Sequence, residues 1–388
     1  MKIIEVNSAA TEKVFLNLPR KIYANDKNWI AHLKQDIKGV FDKKTNKYFE
    51  QGEAIRWLLK NDQNEIIGRV AAFINYKTAD TYNEQAGGMG FFECINDKKA
   101  AFLLFDKCKE WLSSKGMKAM DGPVNFGEKE RFWGLLIENY TSPPVYLMNY
   151  NPTYYKDFFE SYGFKIFYEQ VVFHRKAQAP LQDLYIERAQ RIAKNPKYHL
   201  EHIKKNKLEK YAEDFRTIYN AAWAASHENF KEMPKEQAMK MVKELKPVIE
   251  EELIWFAYYD NTPIGFYIAL PELNEIFKKV GDNFNWLGKI KFLWQQKTNN
   301  CKTAYGLAFG VAPRYQGKGI EGAIFDEFRK ALIKKGNYED VVIAWIGDFN
   351  PKMIRVIEAM GATPYRRLAT YRKLFDENAP FERYPILA

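Results

Sequence analysis

Cysteine is scarce in this chain. The three among 388 residues, Cys94, Cys108 and Cys301, are odd in number and spaced without pattern. They form neither a disulfide frame nor a zinc site, and they suit a reducing compartment. The five histidines show no metal-ligand spacing either, so no metal is expected. No apolar run approaches the ~18 residues that span a bilayer. The opening Met1-Lys2-Ile3-Ile4-Glu5 has no apolar stretch leading to small residues, so no signal peptide is expected and a cytoplasmic location is. Zinc-finger, RNP-type and basic-zipper patterns are missing as well. Nucleic acid is therefore not an expected partner, despite a net charge of +10.

Apolar and aromatic residues are plentiful, at 46% and 16%. A chain of this length with that much core material predicts two domains. The lysines that dominate the charge are dispersed along amphipathic segments such as Glu201 to Lys210. That distribution fits solvated helix faces and leaves room for a phosphate-bearing cofactor.

Patterning predicts an α/β fold with a mixed sheet. In the first half, strands are expected at 2–7, 54–59, 66–75, 89–95 and 165–174, with helices at 11–23, 98–115 and 154–162. Asn61-Asp62-Gln63-Asn64 reads as a hairpin turn, and 121–150 as an aromatic loop. A basic, mostly helical connector at 177–197 separates domains at 1–176 and 198–388. The second half repeats the scheme: strands at 198–203, 253–259, 264–270, 305–311, 341–346 and 365–374, helices at 207–225, 235–249, 319–334 and 351–360, and an insertion at 271–302. Ile67-Gly68 corresponds to Ile264-Gly265, and Phe159-Glu160-Ser161-Tyr162-Gly163-Phe164 to Ile357-Glu358-Ala359-Met360-Gly361-Ala362. Two copies of one unit are expected.

The segment that carries chemistry is Gly310-Val311-Ala312-Pro313-Arg314-Tyr315-Gln316-Gly317-Lys318-Gly319-Ile320-Glu321-Gly322. A strand ends, a glycine-rich turn follows, and a helix opens. Glycines let several backbone N–H groups converge on one anion, and the helix N-terminus adds partial positive charge. The arrangement suits a pyrophosphate, with Lys318 or Arg314 as countercharge. Gly317, Gly319 and Gly322 also spell a dinucleotide-binding pattern. That reading fails because four residues, Pro313 to Gln316, separate strand from glycines, and only 66 residues follow Gly322.

From Val311 to Gly319 the loop resembles the acyl-CoA-binding motif of the GNAT N-acetyltransferase superfamily, and the whole chain resembles bacterial proteins with two GNAT-like domains. Asn350, with Gly361 eleven residues later, resembles that superfamily's next motif. The resemblance implies that Phe309, Gly310 and Val311 pair with the pantetheine of an acetyl-CoA or other acyl-CoA co-substrate. It further implies that amides from Gln316, Gly317, Lys318, Gly319, Ile320, Glu321 and Gly322 hold the pyrophosphate, and that Asn350 contacts the cofactor arm. The chain departs from the family pattern in three places. Glu321 stands where the loop's last small residue belongs, Trp345 where a Glu base is frequent, and Ile357 where a Tyr acid is frequent. Asp348 as base and Tyr371 as acid are the replacements nominated here, with Tyr305 as a further local candidate.

The expected activity is acyl-CoA-dependent N-acyltransfer, most simply of acetyl to a small amine. The alternatives are a non-catalytic acyl-CoA sensor and a long-chain N-acyltransferase acting on a lipid-like amine at a membrane surface. The N-terminal copy has Asn96-Asp97-Lys98-Lys99-Ala100-Ala101 in place of the loop and is not expected to bind coenzyme A. Its aromatic residues Phe126, Phe132, Trp133 and Tyr140 are candidates to line the acceptor pocket. The insertion from Phe284 to Trp294 mixes apolar residues and lysines, which suits a lid, core docking or peripheral membrane contact.

Overall fold

Local chemistry sets the ends of the elements in the computed structural model, which describes residues 1–80, 84–224, 232–298 and 301–387. The N-terminal half runs β1 (Lys2–Glu5), α1 (Ala9–Ile22), α2 (Lys34–Val40), β2 (Gly52–Lys60), β3 (Ile66–Asn75), β4 (Ala86–Cys94), α3 (Lys98–Ser114), β5 (Ala119–Gly122), β6 (Leu135–Glu138), α4 (Tyr154–Tyr162) and β7 (Lys165–Lys176). Ser8 caps α1 through a reciprocal pair with Thr11. In the β2–β3 turn, the Asn61 side chain accepts from the amides of Gln63 and Glu65. Gly163 closes α4 in the left-handed conformation, with φ of 95°.

Helix α5 (Asp183–Lys194) occupies the expected connector. The C-terminal half continues with β8 (Tyr198–His202), α6 (Leu208–Ala224), α7 (Lys235–Leu245), β9 (Ile254–Tyr259), β10 (Thr262–Pro271), α8 (Leu273–Val280), α9 (Trp286–Thr298), β11 (Thr303–Val311), α10 (Ile320–Lys335), β12 (Asp340–Gly347), α11 (Pro351–Ala359) and β13 (Thr363–Leu374). Helix α7 ends at Leu245, short of the expected 249, where Pro247 has no N–H to continue the helical hydrogen-bond ladder. The expected last residue of α6, Ala225, lies outside the described residues.

All thirteen strands join one mixed sheet, in the order β1-β2-β3-β4-β5-β13-β7-β12-β11-β10-β9-β8, with β6 pairing on β13. Among the described residues, only β4–β5 and β11–β12 are parallel pairs. The last strands of the two halves are exchanged. β13 pairs with β5 of the N-terminal half, and β7 pairs with β12 of the C-terminal half. The cores follow the exchange. Val171 and Phe173 of β7 pack with Ile264, Ile324 and Val341, whereas Ala369 and Tyr371 of β13 pack with Leu59, Phe105 and Phe159. The sheet therefore runs unbroken past residues 177–197, although the sequence reads as two repeats there.

Candidate functional site

Strands β11 and β12 are hydrogen-bonded partners only from Thr303↔Asp340 to Gly306↔Ile343. Beyond that point both are irregular. β11 carries an extra residue, Leu307, opposite β10, and β12 carries one extra residue between Ile343 and Ile346 opposite β7. Bulges bend and twist a strand, and here two at one level make neighbouring strands part. Leu307, Ala308 and Phe309 on one side, and Ala344 and Trp345 on the other, are half-buried. The β11 backbone from Phe309 to Val311 pairs with β10 on its other edge, so a ligand's amide can pair with the edge facing β12.

Past Val311 the chain makes a short helical turn, Pro313–Tyr315, and the Gln316 side chain donates back to the Val311 carbonyl at 3.0 Å. Gly317 and Gly319 both adopt left-handed backbone, with φ of 70° and 94°. Gly319 also meets a steric limit, since a Cβ there would lie 2.8 Å from the Cβ of Arg188; at Gly322 it would lie 2.8 Å from the Tyr185 ring. Helix α5 thus packs onto the glycine-rich loop and brings Arg188 to it as a third cation beside the exposed Arg314 and Lys318. No side chain caps α10 at Gly319, whereas buried Ile320 anchors its first turn. Free amides, a helix dipole and three cations fit a pyrophosphate.

Glu321 does not point outward along the helix. Its carboxylate turns back and accepts from the Gly317 amide at 3.2 Å, on a group expected to face phosphate. Asn350 caps α11, accepting from the Met353 amide at 3.1 Å. Asp348 lies just beyond β12, as expected. Its carboxyl is raised by burial against the opposing pull of Arg383, which donates to it at 2.5 Å from the C-terminal tail. Tyr371 is displaced from the expected site. The strand exchange puts β7 between β13 and β12, and the buried phenol donates to Glu160 at 3.0 Å in the N-terminal core. Loop, parted strands, Asp348 and Asn350 come together; Tyr371 does not join them.

The N-terminal half reaches across the seam. Leu136, Val145 and Met148 form one apolar cluster with Tyr305 and Val342, flanked by half-buried Tyr140, Tyr150, Leu307 and Trp345. Of the aromatic residues nominated for an acceptor pocket, Tyr140 is in this group. Phe126 and Phe132 pack inside the N-terminal half, and Trp133 donates to Tyr168 and Thr370.

Two carboxylates near Tyr305 escaped the sequence reading. Glu272 caps α8 and accepts from the amides of Asn274 and Tyr146. Burial pushes its carboxyl up to about 8, and its Oε2 has no hydrogen-bond partner among the described residues. Glu130 is exposed at the surface, yet the protein packed around it raises its carboxyl above the ordinary range. It lies close enough to Tyr305 and Tyr219 for its charge to raise both phenols, after burial as the larger cause. Leu-Pro-Glu-Leu and Glu-Lys-Glu-Arg carry no spacing signal that could have announced either residue.

Residues 212–362 match the acetyltransferase (GNAT) family. The chain is 26% identical over 391 residues to the bacterial ceramide synthase of Caulobacter vibrioides, covering 96% of this chain and 97% of that one. It is 24% identical over 369 residues to protein YghO of Escherichia coli, covering 93% and 92% of the two chains. In fold it resembles a tandem GNAT protein from the clavulanic acid biosynthesis pathway, with a TM-score of 0.56 at 10% identity over 98% of this chain and 99% of that one. The glycine-rich loop, the parted parallel strands and these similarities agree: residues 212–362 belong to the GNAT acetyltransferase family, and the whole chain has the fold of a tandem GNAT protein.

Proposed function

We propose that this chain is an N-acyltransferase that moves a long-chain acyl group from acyl-CoA to the amino group of a lipid of the sphingoid class. The observation that carries the reading is end-to-end similarity to a ceramide synthase, at 26% identity. A ceramide is the amide of a long-chain amino alcohol and a fatty acid, so both partners of the reaction bring apolar chains. Half-buried Leu307, Tyr140, Trp345 and Tyr365 beside the parted strands supply apolar surface of the right kind. The expectation of acetyl transfer to a small amine gives way to the lipid alternative.

In this reaction the amine nitrogen attacks the thioester carbonyl, the C–N bond forms and the C–S bond breaks. The amine must lose a proton and the departing sulfur must gain one. The β11 backbone from Phe309 to Val311 orients the pantetheine arm, and the amides from Gly317 to Gly322 hold the pyrophosphate with Arg188, Arg314 and Lys318 as countercharge. We assign Glu130 as the base, because it is a carboxylate close to Tyr305 at the seam and its surroundings raise its carboxyl above the ordinary range. Tyr305 stays protonated under the same conditions and is our proposed donor to sulfur. Asp348, held by Arg383, is assigned to anchoring the C-terminal tail.

The test pairs palmitoyl-CoA with sphinganine and acetyl-CoA with spermidine, following thiol release and product mass. N-palmitoyl-sphinganine is the expected product, and Glu130→Gln should lower kcat by about 10²-fold and remove the acidic limb of the pH profile. Transfer to spermidine alone would overturn the lipid reading. An unchanged Glu130→Gln profile would instead overturn only the base assignment.

A further inference from the structure

Helix α9 belongs to the insertion between β10 and β11 and presents an apolar face that none of the described residues covers. Trp286, Leu287, Ile290, Leu293 and Trp294 are all at least half exposed, the two tryptophans at 68% and 62%. At 100° per residue these five fall within about 120° of arc. Gly288 and Phe292, the buried residues of the helix, lie on the opposite side. That inner side is firmly mounted: Phe292 packs on Phe277 and Phe284, and Gln296 donates to the Pro247 carbonyl at 2.8 Å. The helix is therefore apolar twice over, once toward the core and once toward solvent. A soluble helix normally shows charge on its outer face.

The charged residues of α9 are all lysines. Lys289 and Lys291 flank the apolar arc on either side, and Lys297 extends it by one turn. The α8 end adds exposed Lys278 and Lys279. No acidic residue occurs between Asp282 and Glu321, and Asp282 itself is paired with Arg20 and Lys34. Tryptophan and leucine between lysines form the composition of helices that lie in an anionic lipid interface. A second protein copy fits less well, because a helix about 20 Å long offers far less than the roughly 800 Å² per partner of a stable interface.

We propose that α9 docks this chain on an anionic bilayer, with Trp286 and Trp294 inserted among the headgroups. The inference rests on the lipid-amine reading for its purpose and on the exposed face for its evidence. Contact is peripheral, since no helix among the described residues is long and apolar enough to cross a membrane. Residues 299–302 are all that separate α9 from β11 in sequence, so docking holds that strand near a surface from which long-chain substrates can enter.

The experiment is co-sedimentation of the full chain with vesicles of equal phosphatidylglycerol and phosphatidylcholine, against pure phosphatidylcholine. Binding should fall about tenfold on the neutral vesicles or in 1 M salt. It should be lost in Trp286→Ser/Trp294→Ser, whose positions are exposed and leave the fold intact. A wild-type chain that stays in the supernatant with every vesicle overturns the proposal, as does a double variant that sediments like wild type. So does a concentration-dependent dimer abolished by the same two substitutions. Transfer to sphinganine in detergent micelles separates the two readings. A double variant active in micelles leaves the function standing, while a wild type inactive in micelles sinks the function without touching the vesicle result.

Discussion

The two halves of the chain open a helix after the same strand of the same fold, and they treat its N-terminus in opposite ways. In the N-terminal half Asp97 caps α3, its carboxylate accepting from the amides of Lys99 and Ala100. In the C-terminal half Gly319 opens α10 with no side chain to cap it. The strands ahead of them differ in the same sense. β4 and β5 also part, after Gly88↔Asp121. There, buried Phe92 and Glu93 fill the gap, with Arg69 donating to the Phe15 carbonyl at 2.5 Å and facing Glu93 at 3.5 Å. Tyr23 and Tyr155 each donate to Glu93 at 2.9 Å. What remains is a cavity of about 60 Å³. One copy fills the gap between its parted strands with core side chains, and the other leaves its helix start without a side-chain cap at Gly319. The comparison shows how little separates the two: a carboxylate in place of a glycine at the helix cap, and a buried ion pair in place of an unpaired, half-buried strand edge.

The comparison breaks first at Gly319. Gly319→Asp would put a side chain against Arg188, force a left-handed backbone on a residue that rarely adopts it, and set a carboxylate in the loop. Acyl-CoA binding measured by calorimetry should weaken at least ~10³-fold. Binding within tenfold of wild type would mean that the pyrophosphate lies elsewhere. The plug in the other half should break differently. Arg69→Met strands Glu93 in the interior and should cost about 3 kcal/mol of stability in urea. Restoring neutrality with Arg69→Met/Glu93→Gln should recover part of that loss. Acyl-CoA affinity of the folded protein should not move in either variant. A change in affinity would make the N-terminal cavity part of the cofactor site.

The seam between the halves gives a smaller, pH-dependent effect. Glu272 accepts from the Tyr146 amide across it, and burial raises its carboxyl to about 8. A folded-state value above the unfolded one means that the native chain holds a proton the unfolded chain has lost. Its stability contribution is therefore full below the unfolded value near 4.5 and declines as pH rises toward 8. Glu272→Gln keeps the acceptor oxygen and removes the titration. The melting temperature of wild type should fall between about pH 5 and 8, while the variant's should stay flatter, a difference of about 1–2 kcal/mol at the upper end. Parallel pH profiles would show that Glu272 is ionised in the fold.

Much of this was readable because it depends on local backbone chemistry. The glycine-rich loop, the asparagine turn at Asn61 and the closure of α4 at Gly163 are each set by neighbours in sequence. The missing loop in the first copy was equally plain at Asp97. Strand exchange was not readable, since β7 and β13 have similar patterns and pairing partners are chosen by the tertiary fold. That is why Tyr371 was nominated for a site two strands away. Helix α5 read as a linker because its apolar face, Tyr185, Ile186, Ala189 and Ile192, does not name the helix it packs against. Glu130 and Glu272 were invisible for the same reason, being brought to Tyr305 by contacts distant in sequence.

The finest form of the comparison concerns two carboxylates at two helix starts. Asp97 caps α3 and has no ligand to compete with. Glu321 lies one residue inside α10 and holds the Gly317 amide at 3.2 Å, a contact it would have to yield to the proposed phosphate. Displacement costs a charge-assisted hydrogen bond and leaves a negative charge beside an anion. Glu321→Gln retains an acceptor oxygen but removes the charge, so acyl-CoA should bind about 3–10-fold tighter, corresponding to roughly 1 kcal/mol. The gain should shrink in high salt, which screens the repulsion. Asp97→Asn preserves the cap and should leave affinity unchanged. If Glu321→Gln instead weakens binding, the carboxylate organises the loop for its ligand, and both halves then use an acidic side chain to shape a helix start. The C-terminal half would differ only in yielding that contact to a substrate.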